Sequence, residues 1–525
     1  MTPRLLHSEK GSLPMTPIRT LALAAFAGSL LATASALPLA LAQETPAAVS
    51  IEPSTLESLP GFIDGVVTQQ IASREVFAAI VTVVHDGEVV MNRGYGFADA
   101  ENGIRVDPES TLFRPGSISK MFTWIALMQQ IEQGQVSLDD DVNEHLDFTI
   151  EPFDGQPIRV RDLFAHTPGL SDVGGFTSDD ADELVDYKEW TRQNLPERLW
   201  APGVEAGYSN YGTALAGYIV EQVSGEHFAD YVERHVFEPL GMTASTFREP
   251  LPAELEDRIA RGHQLEDGRL TARPFQYYSL IMPAGSATVS GPDMARFMLA
   301  MLNGGELDGA RILSPESAAL LETESIANAP NLPGLGHGYL IYREEGPRLI
   351  GHAGAMRDFR SNLILAPEAG FGVFLSVMAS SPAGLPAQGE LSSAITGRVF
   401  PQDPAPRWTE AGQAESVAGR YRVNRRDFSR EPDPERDLEI TAAGPHALTI
   451  RSGEQVIRFE QTGPLLFEQI SGFREGGPHE RIEFYGEPDA LRMSYASQPF
   501  MNWHRLPDDE AAAAAEQAAG DDSES

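Results

Sequence analysis

Cysteine is absent from the 525 residues of the chain. This absence excludes disulfide bridges, thiolate metal sites, cysteine nucleophiles and lipid attachment at a cysteine. The 12 histidines contain neither a His-Glu-x-x-His motif nor another paired ligand spacing. Phosphate-binding loops and dinucleotide-binding glycine motifs are missing as well. We therefore expect neither a metal nor a cofactor.

Basic residues are scarce. The chain has 39 lysines and arginines against 76 aspartates and glutamates, a formal net charge of −37. Such a field repels phosphate backbones and anionic lipid surfaces, so we expect no nucleic-acid partner. Solubility accounts for this acidity, and attraction of a cationic substrate or partner is the alternative. The length, with 42% hydrophobic and 22% charged residues, predicts a large globular domain plus at least one smaller one.

The N-terminus carries the sequence pattern of a secretory signal. Arg19 precedes an uncharged run over residues 21–42, which ends in Ala-Leu-Ala. That small-x-small ending is typical of a signal-peptidase site, so we predict a signal peptide over residues 1–42 and export to the periplasm or medium. Either Met1 or Met15 is the start. An uncleaved membrane anchor is the alternative, because the run is long enough to span a bilayer.

The next part of the chain predicts a helix followed by antiparallel strands. Residues 43–53 form a linker, and apolar residues at helical spacing predict a helix over Thr55–Gln70. Two β-rich runs follow in "FAAIVTVVHDGEVVMNRGYG", joined by Asp86-Gly87. That dipeptide between such runs is a strong hairpin signal.

Helices and long loops dominate from about residue 115 to residue 303, and strands return late, at Asn362–Leu365 and Val373–Met378. A closing helix is predicted in "GELSSAITGRVF". We therefore predict an α+β domain over residues 54–400, with one antiparallel sheet built from both of its chain ends and a helical insertion between them.

A second domain is predicted after a proline-rich linker at residues 401–408. Short alternating runs over residues 409–507, each bounded by Gly, Pro or Asp, predict a small all-β barrel or sandwich. Residues 508–525 are acidic and of low complexity, which predicts a disordered tail.

A serine and a lysine stand one helical turn apart in "FRPGSISKMFTW". Ser117 follows a Pro-Gly turn, and Lys120 lies on the same face of the apolar helix that begins there. A serine hydroxyl becomes nucleophilic when a base takes its proton, and an amine does this if burial or a nearby cation lowers its pKa. An N-cap serine beside a solvated lysine is the alternative. Ser119 faces elsewhere, where packing or a backbone hydrogen bond suffices.

Two further segments contribute polar groups. In "YSNYGTALAGYIVEQVSG", Tyr208 and Asn210 alternate with Ser209 before an apolar helix, so both side chains point the same way. A phenol can relay protons and an amide can hold a carbonyl, although ordinary turn residues give the same pattern. In "LIGHAGAM", His352 among glycines predicts an edge strand that a substrate approaches closely. We assign His166, in "FAHTPGL", a structural role.

In this order the three segments resemble the motifs of the serine β-lactamase and penicillin-binding-protein superfamily, whose signature is Ser-x-x-Lys, a polar triplet and Lys-Thr-Gly. More narrowly, the Tyr-x-Asn triplet is similar to that of the class C-like branch, which includes AmpC-type β-lactamases, DD-carboxypeptidases, D-aminopeptidases and esterases. The resemblance spans about residues 55–400, and "GYGFAD", "LFAHTPGL" and "EPLGMTASTF" also match the wording of that branch. It implies a β-lactamase-like fold for the first domain.

The resemblance implies a role for each motif residue. Ser117 is the acylated nucleophile and Lys120 the base that activates it. Tyr208 is the partner base or proton relay, and Asn210 positions the substrate. The oxyanion hole is formed by the backbone N–H groups of Ser117 and Ala355, and such amides lower a barrier by several kcal/mol.

The chain departs from the family at the third motif, where His352-Ala353-Gly354 replaces Lys-Thr-Gly. His352 and Gly354 are predicted to bind substrate, but alanine has no hydroxyl to hold the carboxylate of a β-lactam or a D-Ala-D-Ala peptide. Histidine at the first position is known among peptidases and esterases of the family. Arg357 or Arg360 is a candidate for binding a carboxylate instead, and solvated arginines are the alternative.

We therefore predict an exported serine hydrolase that acts through an acyl-enzyme on a small-molecule or peptide ester or amide. The alternatives are a cell-wall DD-carboxypeptidase, D-aminopeptidase or penicillin-binding protein, and a non-catalytic binding or sensory protein. The acyl and leaving groups of the substrate and the oligomeric state stay open at this point.

Overall fold

The computed structural model describes residues 49–73, 76–344, 346–379, 384, 386–452, 455–470 and 479–521, which belong to one compact unit. The predicted signal peptide, residues 1–42, lies outside the described residues. Within the described ranges, no helix is long and apolar enough to cross a membrane.

The first elements form the start of the main sheet. In chain order they are α1 (Pro53–Ala72), β1 (Ala78–His85), β2 (Glu88–Asp99) and β3 (Ile104–Arg105). Asp86 and Gly87 both adopt positive φ, 47° and 82°, which is the geometry of a two-residue hairpin turn. The predicted hairpin is therefore confirmed. β1 is buried along nearly its whole length because helices cover both faces of the sheet at this point.

A mostly helical region follows. Its elements are β4 (Leu112–Phe113), α2 (Ser119–Glu132), α3 (Val160–Phe164), α4 (Tyr187–Gln193), α5 (Asn210–Ser224), α6 (Phe228–Val232), α7 (Glu238–Leu240), α8 (Ala253–Glu256), β5 (His263–Glu266), β6 (Arg269–Ala272), α9 (Met282–Gly285), β7 (Val289–Ser290), α10 (Gly291–Leu302), β8 (Glu306–Leu307), β9 (Ala310–Arg311) and α11 (Pro315–Glu322). α2 is buried on every side from Ser119 to Gln130 and packs against α5 and α9. A helix that is apolar all round belongs in the centre of a domain, and α2 accordingly forms the middle of the larger core.

The chain then returns to the sheet. The closing elements are β10 (Leu340–Arg343), β11 (Leu349–Ala355), β12 (Phe359–Ala366), β13 (Phe371–Met378) and α12 (Ala387–Val399). Counting described residues only, the main sheet has seven antiparallel strands in the order β10-β11-β12-β13-β1-β2-β3. β1 pairs with β13, so one sheet is built from both ends of the domain, as predicted. α1 and α12 pack together on one face, and α10 and the helical region cover the other.

The predicted edge strand at His352 needs a correction. β11 lies between β10 and β12, so it is an interior strand of the sheet. β10 is short, however, and its pairing with β11 runs from Leu349 only to Gly351. The part of β11 from His352 onward therefore lacks a β10 partner, and Gly354 in this part lies against the backbone of Pro115 and Ser117.

The second domain is a closed barrel, which decides between the barrel and the sandwich that the sequence allowed. Its elements are α13 (Ala414–Val417), β14 (Gly419–Val423), β15 (Leu438–Ala442), β16 (Ala447–Ser452), β17 (Gln455–Gly463), β18 (Leu466–Gln469), β19 (Arg481–Tyr485), β20 (Arg492–Tyr495) and β21 (Trp503–Arg505). Eight strands, counted over the part of the chain that is described, pair each with the next, and β21 closes on β14. Closure leaves no free sheet edge.

The acidic C-terminal segment differs from the predicted disordered tail, because Asp508–Asp521 forms a helix, α14. Alanine has the highest helix propensity, and this segment is rich in it. Asp508, Asp509 and Glu510 occupy the first turn, where negative charge is favoured by the helix dipole. The remaining domain boundaries stay predictions.

Candidate active site

Ser117 lies in a tight turn immediately before α2. The residues Gly116–Ile118 form a short 3-10 turn, and α2 itself begins at Ser119, so Ser117 is not the N-cap of the helix. Gly116 has φ +60°, and a Cβ there would lie 3.0 Å from the backbone nitrogen of Ala355. A Cβ on Gly354 would lie 1.8 Å from the carbonyl oxygen of Pro115. Both glycines are thus needed for β11 to lie directly against the turn that carries Ser117.

Lys120 is completely buried and points at Ser117. Its Nζ lies 3.1 Å from Ser117 Oγ, 2.8 Å from Asn210 Oδ1 and 2.7 Å from the carbonyl oxygen of Ala284. The last two oxygens accept but cannot donate hydrogen bonds, so they take two N–H groups of the amine. When Lys120 is neutral, its lone pair is left for the hydroxyl of Ser117.

The electrostatics favour that neutral form. Burial lowers the pKa of Lys120 well below its ordinary value, because the ammonium form loses its water. The positive charge of Arg425 lowers the pKa of Lys120 further, and the negative charge of Asp172 acts in the opposite direction. The amine therefore has the pKa direction that a general base for Ser117 requires.

Tyr208 is buried beside this pair. Its ring centroid lies 4.9 Å from Lys120 Nζ and 4.5 Å from the ring of His166. Burial raises the pKa of Tyr208, while a hydrogen bond with Ser117 lowers it. Tyr208 is therefore a neutral phenol that shares a hydrogen bond with the hydroxyl of Ser117, a position from which it can relay a proton.

Asn210 is the first residue of α5. The N-cap is Ser209, whose hydroxyl accepts the N–H of Gly212 at 2.9 Å. Asn210 is therefore not an ordinary turn residue, because it lies in the helix and its amide oxygen accepts from Lys120. The N–H of Ser209 donates to Nδ1 of His166 at 3.3 Å, which agrees with the structural role predicted for that histidine.

His352 is buried in the wall of the cavity as a neutral imidazole. Its Nδ1 lies 2.6 Å from the carbonyl oxygen of Ala353, so Nδ1 carries the proton and donates it there. Burial, and then the charge of Lys120, lower the pKa of His352 to about 3, against a smaller opposing effect of the bond to Ala353. Nε2 is a buried acceptor that has no partner among the described residues. The third motif therefore presents no cation at neutral pH.

The two arginines predicted as carboxylate ligands differ in their surroundings. Arg357 is engaged by Asp179, whose carboxylate oxygens lie 2.7 and 2.8 Å from its Nη1, and its Nη2 donates to Pro274. Arg360 lines the cavity beside Ser117 and donates to two backbone carbonyls, of Met356 and Phe359. Arg360 alone of this pair therefore reaches the candidate site.

These groups surround a cavity of about 300 Å³. The motif residues with predicted roles, apart from Lys120, line it: Ser117, Tyr208, Asn210, His352, Gly354 and Ala355. Among the described lining residues none carries a carboxylate, so the acidity of the chain does not extend into the cavity and gives no support for a cationic substrate.

Two residues of the C-terminal barrel also line the cavity, and sequence reasoning missed both. Arg425 follows β14 and lies with its Cζ 4.6 Å from the ring centroid of Tyr208. Phe500 precedes β21, and its carbonyl oxygen accepts the N–H of Tyr208 at 2.9 Å. Neither residue belongs to a motif, and only the packing of the two domains brings them to the site.

A second cavity, of about 350 Å³, is lined by Met356, Asp358 and Phe359 among others. Two arginines that line it are paired: the buried Arg114 with Glu249, and the half-buried Arg273 with Asp358. None of the predicted catalytic residues lines it. Among the residues with assigned positions, no three His, Asp or Glu side chains come together to hold a metal ion.

Comparison with known proteins defines the class to which this site belongs. The family model described as Beta-lactamase matches residues 63–394, more than half of the chain, and the chain belongs to this family. Protein flp of Staphylococcus aureus (strain N315) is 26% identical over 317 residues, which are 59% of this chain and 61% of the relative. The putative penicillin-binding protein PbpX of Bacillus subtilis (strain 168) is 30% identical over 237 residues, which are 43% of this chain and 56% of PbpX. The chain thus spans only about three fifths of the length of these curated relatives.

Solved structures share the fold. The octameric penicillin-binding protein homologue from Pyrococcus abyssi is 23% identical with a TM-score of 0.56, and the match covers 85% of this chain and all of that one. SurE is 22% identical with a TM-score of 0.60, and the match covers 86% of this chain and 99% of SurE. A class C β-lactamase from Rhodobacter sphaeroides is 21% identical with a TM-score of 0.52, over 63% of this chain and 98% of its own. The first two matches therefore extend beyond the residues that the family model covers.

Proposed function

We propose that the protein is an exported serine hydrolase that forms an acyl-enzyme on Ser117 from an ester or amide substrate. The observation that carries the proposal is the buried amine of Lys120, whose Nζ lies 3.1 Å from Ser117 Oγ with its other two contacts occupied by acceptors. The family supports hydrolysis by a serine nucleophile. Export rests on the sequence of residues 1–42 alone.

In the first step the neutral amine of Lys120 takes the proton of Ser117, and Oγ attacks the carbonyl carbon of the substrate. A C–O bond forms while the π electrons of the carbonyl move to its oxygen. The backbone N–H groups of Ser117 and Ala355 would donate to this oxyanion, because Gly116 and Gly354 let the two backbone segments lie in contact. Asn210 holds Lys120 in place through its amide oxygen.

In the second step the tetrahedral intermediate collapses and the bond to the leaving group breaks. The proton on Lys120 passes to the departing oxygen or nitrogen, with the hydroxyl of Tyr208 as the relay. Water then attacks the ester on Ser117, and the same groups run in reverse to release the acid and restore the hydroxyl. The cycle consumes one water and leaves Lys120 neutral again.

Covalent labelling by a fluorophosphonate probe tests the proposal. We expect one adduct by intact mass, mapped to Ser117 by peptide analysis, and none in Ser117→Ala. Ser119→Ala is the matched control, because Ser119 does not line the cavity and its hydroxyl is engaged by the carbonyl of Gly116 at 2.6 Å and the N–H of Ala287. A folded protein that stays unlabelled, or a Ser117→Ala variant that labels as well as the parent, would reject the proposal.

A peptidase acting on cell-wall or D-amino-acid substrates is the second candidate. The relative PbpX is named a putative penicillin-binding protein, and SurE has been crystallised with D-Leu. Against this candidate, His352 supplies no cation where the family motif has lysine. Fluorescent penicillin separates the two: a stable adduct favours the peptidase, and rapid turnover of p-nitrophenyl esters without such an adduct favours the esterase.

A further inference from the structure

The segment that follows β14 in the barrel is fixed against the catalytic domain. The side-chain amide of Asn424 donates to Glu205 Oε1 at 3.1 Å, and the carbonyl of Arg426 accepts the N–H of Asp172 at 3.1 Å. Asn424 and Glu205 are both buried. Arg425 therefore stands between two anchored neighbours, and its backbone position does not depend on its own side chain.

The side chain of Arg425 reaches the catalytic tyrosine. Its Cζ lies 4.6 Å from the ring centroid of Tyr208, and its Nε lies 3.2 Å from Asp172 Oδ2. Lys120 Nζ lies 4.9 Å from the centroid of the same ring. A guanidinium and a buried amine thus share one aromatic ring, and the guanidinium forms an ion pair with a carboxylate.

We propose that Arg425, supplied by the C-terminal barrel, is a positioning residue of the hydrolase site that packs on Tyr208 and opposes a positive charge on Lys120. The inference rests on the proposed function. Two cations beside one ring repel each other. Because arginine stays protonated in proteins, the repulsion is relieved when Lys120 gives up its proton. The barrel thereby prepares the base for Ser117.

A cation and an anion both lie near Lys120, so the inference predicts opposite effects when each of them is removed. Among the residues that the structure describes, the titratable and charged side chains that act on the amine are Arg425, Asp172, Tyr208, His166 and His352. Burial raises the pKa of Tyr208 and lowers the pKa values of both histidines, so these three are uncharged near neutral pH. The other two side chains act in opposite directions: Arg425 lowers the pKa of Lys120, and Asp172 raises it.

The rate of fluorophosphonate labelling as a function of pH tests this directly, because labelling reports activation of Ser117 without depending on the identity of the substrate. We expect Arg425→Gln to move the half-maximal rate about one pH unit higher, which is about tenfold slower labelling at a fixed pH on the acidic limb. Asp172→Asn, which removes the opposing anion, should move the half-maximal rate to lower pH. A merely structural role would not shift the two variants in opposite directions.

Two controls complete the experiment. Arg425→Lys keeps the cation and should restore most of the parental profile. Arg426→Gln removes an equal charge from the next residue, whose guanidinium stacks on Phe428 at 3.7 Å, and should leave the profile unchanged. Parental profiles for both Arg425→Gln and Asp172→Asn, or shifts in the same direction, would overturn the inference. If Arg425→Gln does not fold, the other two variants still test the inference. A shift to lower pH in Asp172→Asn with a parental profile in Arg425→Lys supports it, and a parental profile in Asp172→Asn overturns it. An unlabelled parent would instead reject the proposed function.

Discussion

The cavity beside Ser117 and the interior of the barrel are lined by opposite kinds of side chains. The cavity keeps polar groups buried around about 300 Å³ of open space. The barrel interior is filled by apolar side chains, and Phe484 packs edge-on against Tyr421 and Phe467 at centroid distances of 5.7 and 5.8 Å. The barrel interior is thus a packed core. The barrel contacts the site through its rim, which we define as Asn424, Arg425, Arg492 and Phe500.

The rim clamps the turn that precedes α5. Asn424 donates to Glu205, Phe500 accepts the N–H of Tyr208, and Nη1 of Arg492 lies 3.1 Å from the carboxylate of Glu205. These three barrel residues therefore hold the chain at and immediately before the Tyr-Ser-Asn motif. Substitutions inside the barrel, at its rim and in the cavity should have different consequences.

Removal of the amine in the cavity should have the largest effect. Lys120→Met keeps the length of the side chain but removes the base, so we expect fluorophosphonate labelling to slow about a thousandfold. That factor corresponds to about 4 kcal/mol. Lys188→Met, which removes a lysine paired with Glu221 outside the cavity, is the control. Equal labelling of the parent and Lys120→Met would place activation of Ser117 elsewhere.

Truncation inside the barrel should cost stability without slowing the chemistry. Phe459 is completely buried there, and Phe459→Ala should lower the free energy of unfolding by about 3–5 kcal/mol, measured by denaturant unfolding. The labelling rate of the folded variant should equal that of the parent. Phe122→Ala in α2 should cost a similar amount and also slow labelling, since α2 carries Lys120. Slower labelling of Phe459→Ala would contradict the account, because it would show that the barrel interior also affects the reactivity of Ser117.

A change at the rim should affect stability and rate together. Asn424→Ala leaves Glu205 Oε1 and the carbonyl of Ala206 without their donor, which should cost about 1–3 kcal/mol of unfolding free energy. Labelling should also slow severalfold, because the chain before Tyr208 loosens. Ser416→Ala, at an exposed site of the barrel, should change neither quantity. Loss of stability with an unchanged rate would mean that the clamp is only structural.

The effect of His352 on stability should be confined to acidic pH. It is neutral in the folded protein, where its pKa is lowered from 6.5 to about 3, and takes up a proton on unfolding below pH 6.5. Stability should therefore fall as the pH drops through this window, by about 1.4 kcal/mol per pH unit from this group. His352→Asn should flatten that part of the unfolding profile. Identical acid slopes in parent and variant would contradict the buried neutral imidazole.

The parts of the site that were predictable from sequence are those set by local geometry. Ser117 and Lys120 are one helical turn apart, and Tyr208 and Asn210 alternate across one residue, so their relative directions follow from backbone periodicity. The structure brings all four together, while their roles stay predictions. The hairpin at Asp86-Gly87 was predictable for the same local reason.

Features that depend on distant parts of the chain were not predictable. Arg425 and Phe500 reach the cavity only because the barrel packs on the segment before Tyr208, and one sequence carries no signal of that contact. The assignment of β11 as an edge strand was wrong because β10, a short and weakly patterned strand, covers its first half. The expectation for residues 508–525 gave weight to charge, whereas the helix propensity of alanine governs Asp508–Asp521.

The central claim is that Lys120 rests as a neutral amine beside Ser117. The most direct measurement is the pH at which the fluorophosphonate labelling rate of the parent protein reaches half its maximum. We predict a value well below 10.5, the ordinary lysine pKa, and no such rise of the labelling rate with pH in Lys120→Met. A half-maximal rate near the ordinary lysine pKa, or the same rise in the absence of the amine, would contradict the account.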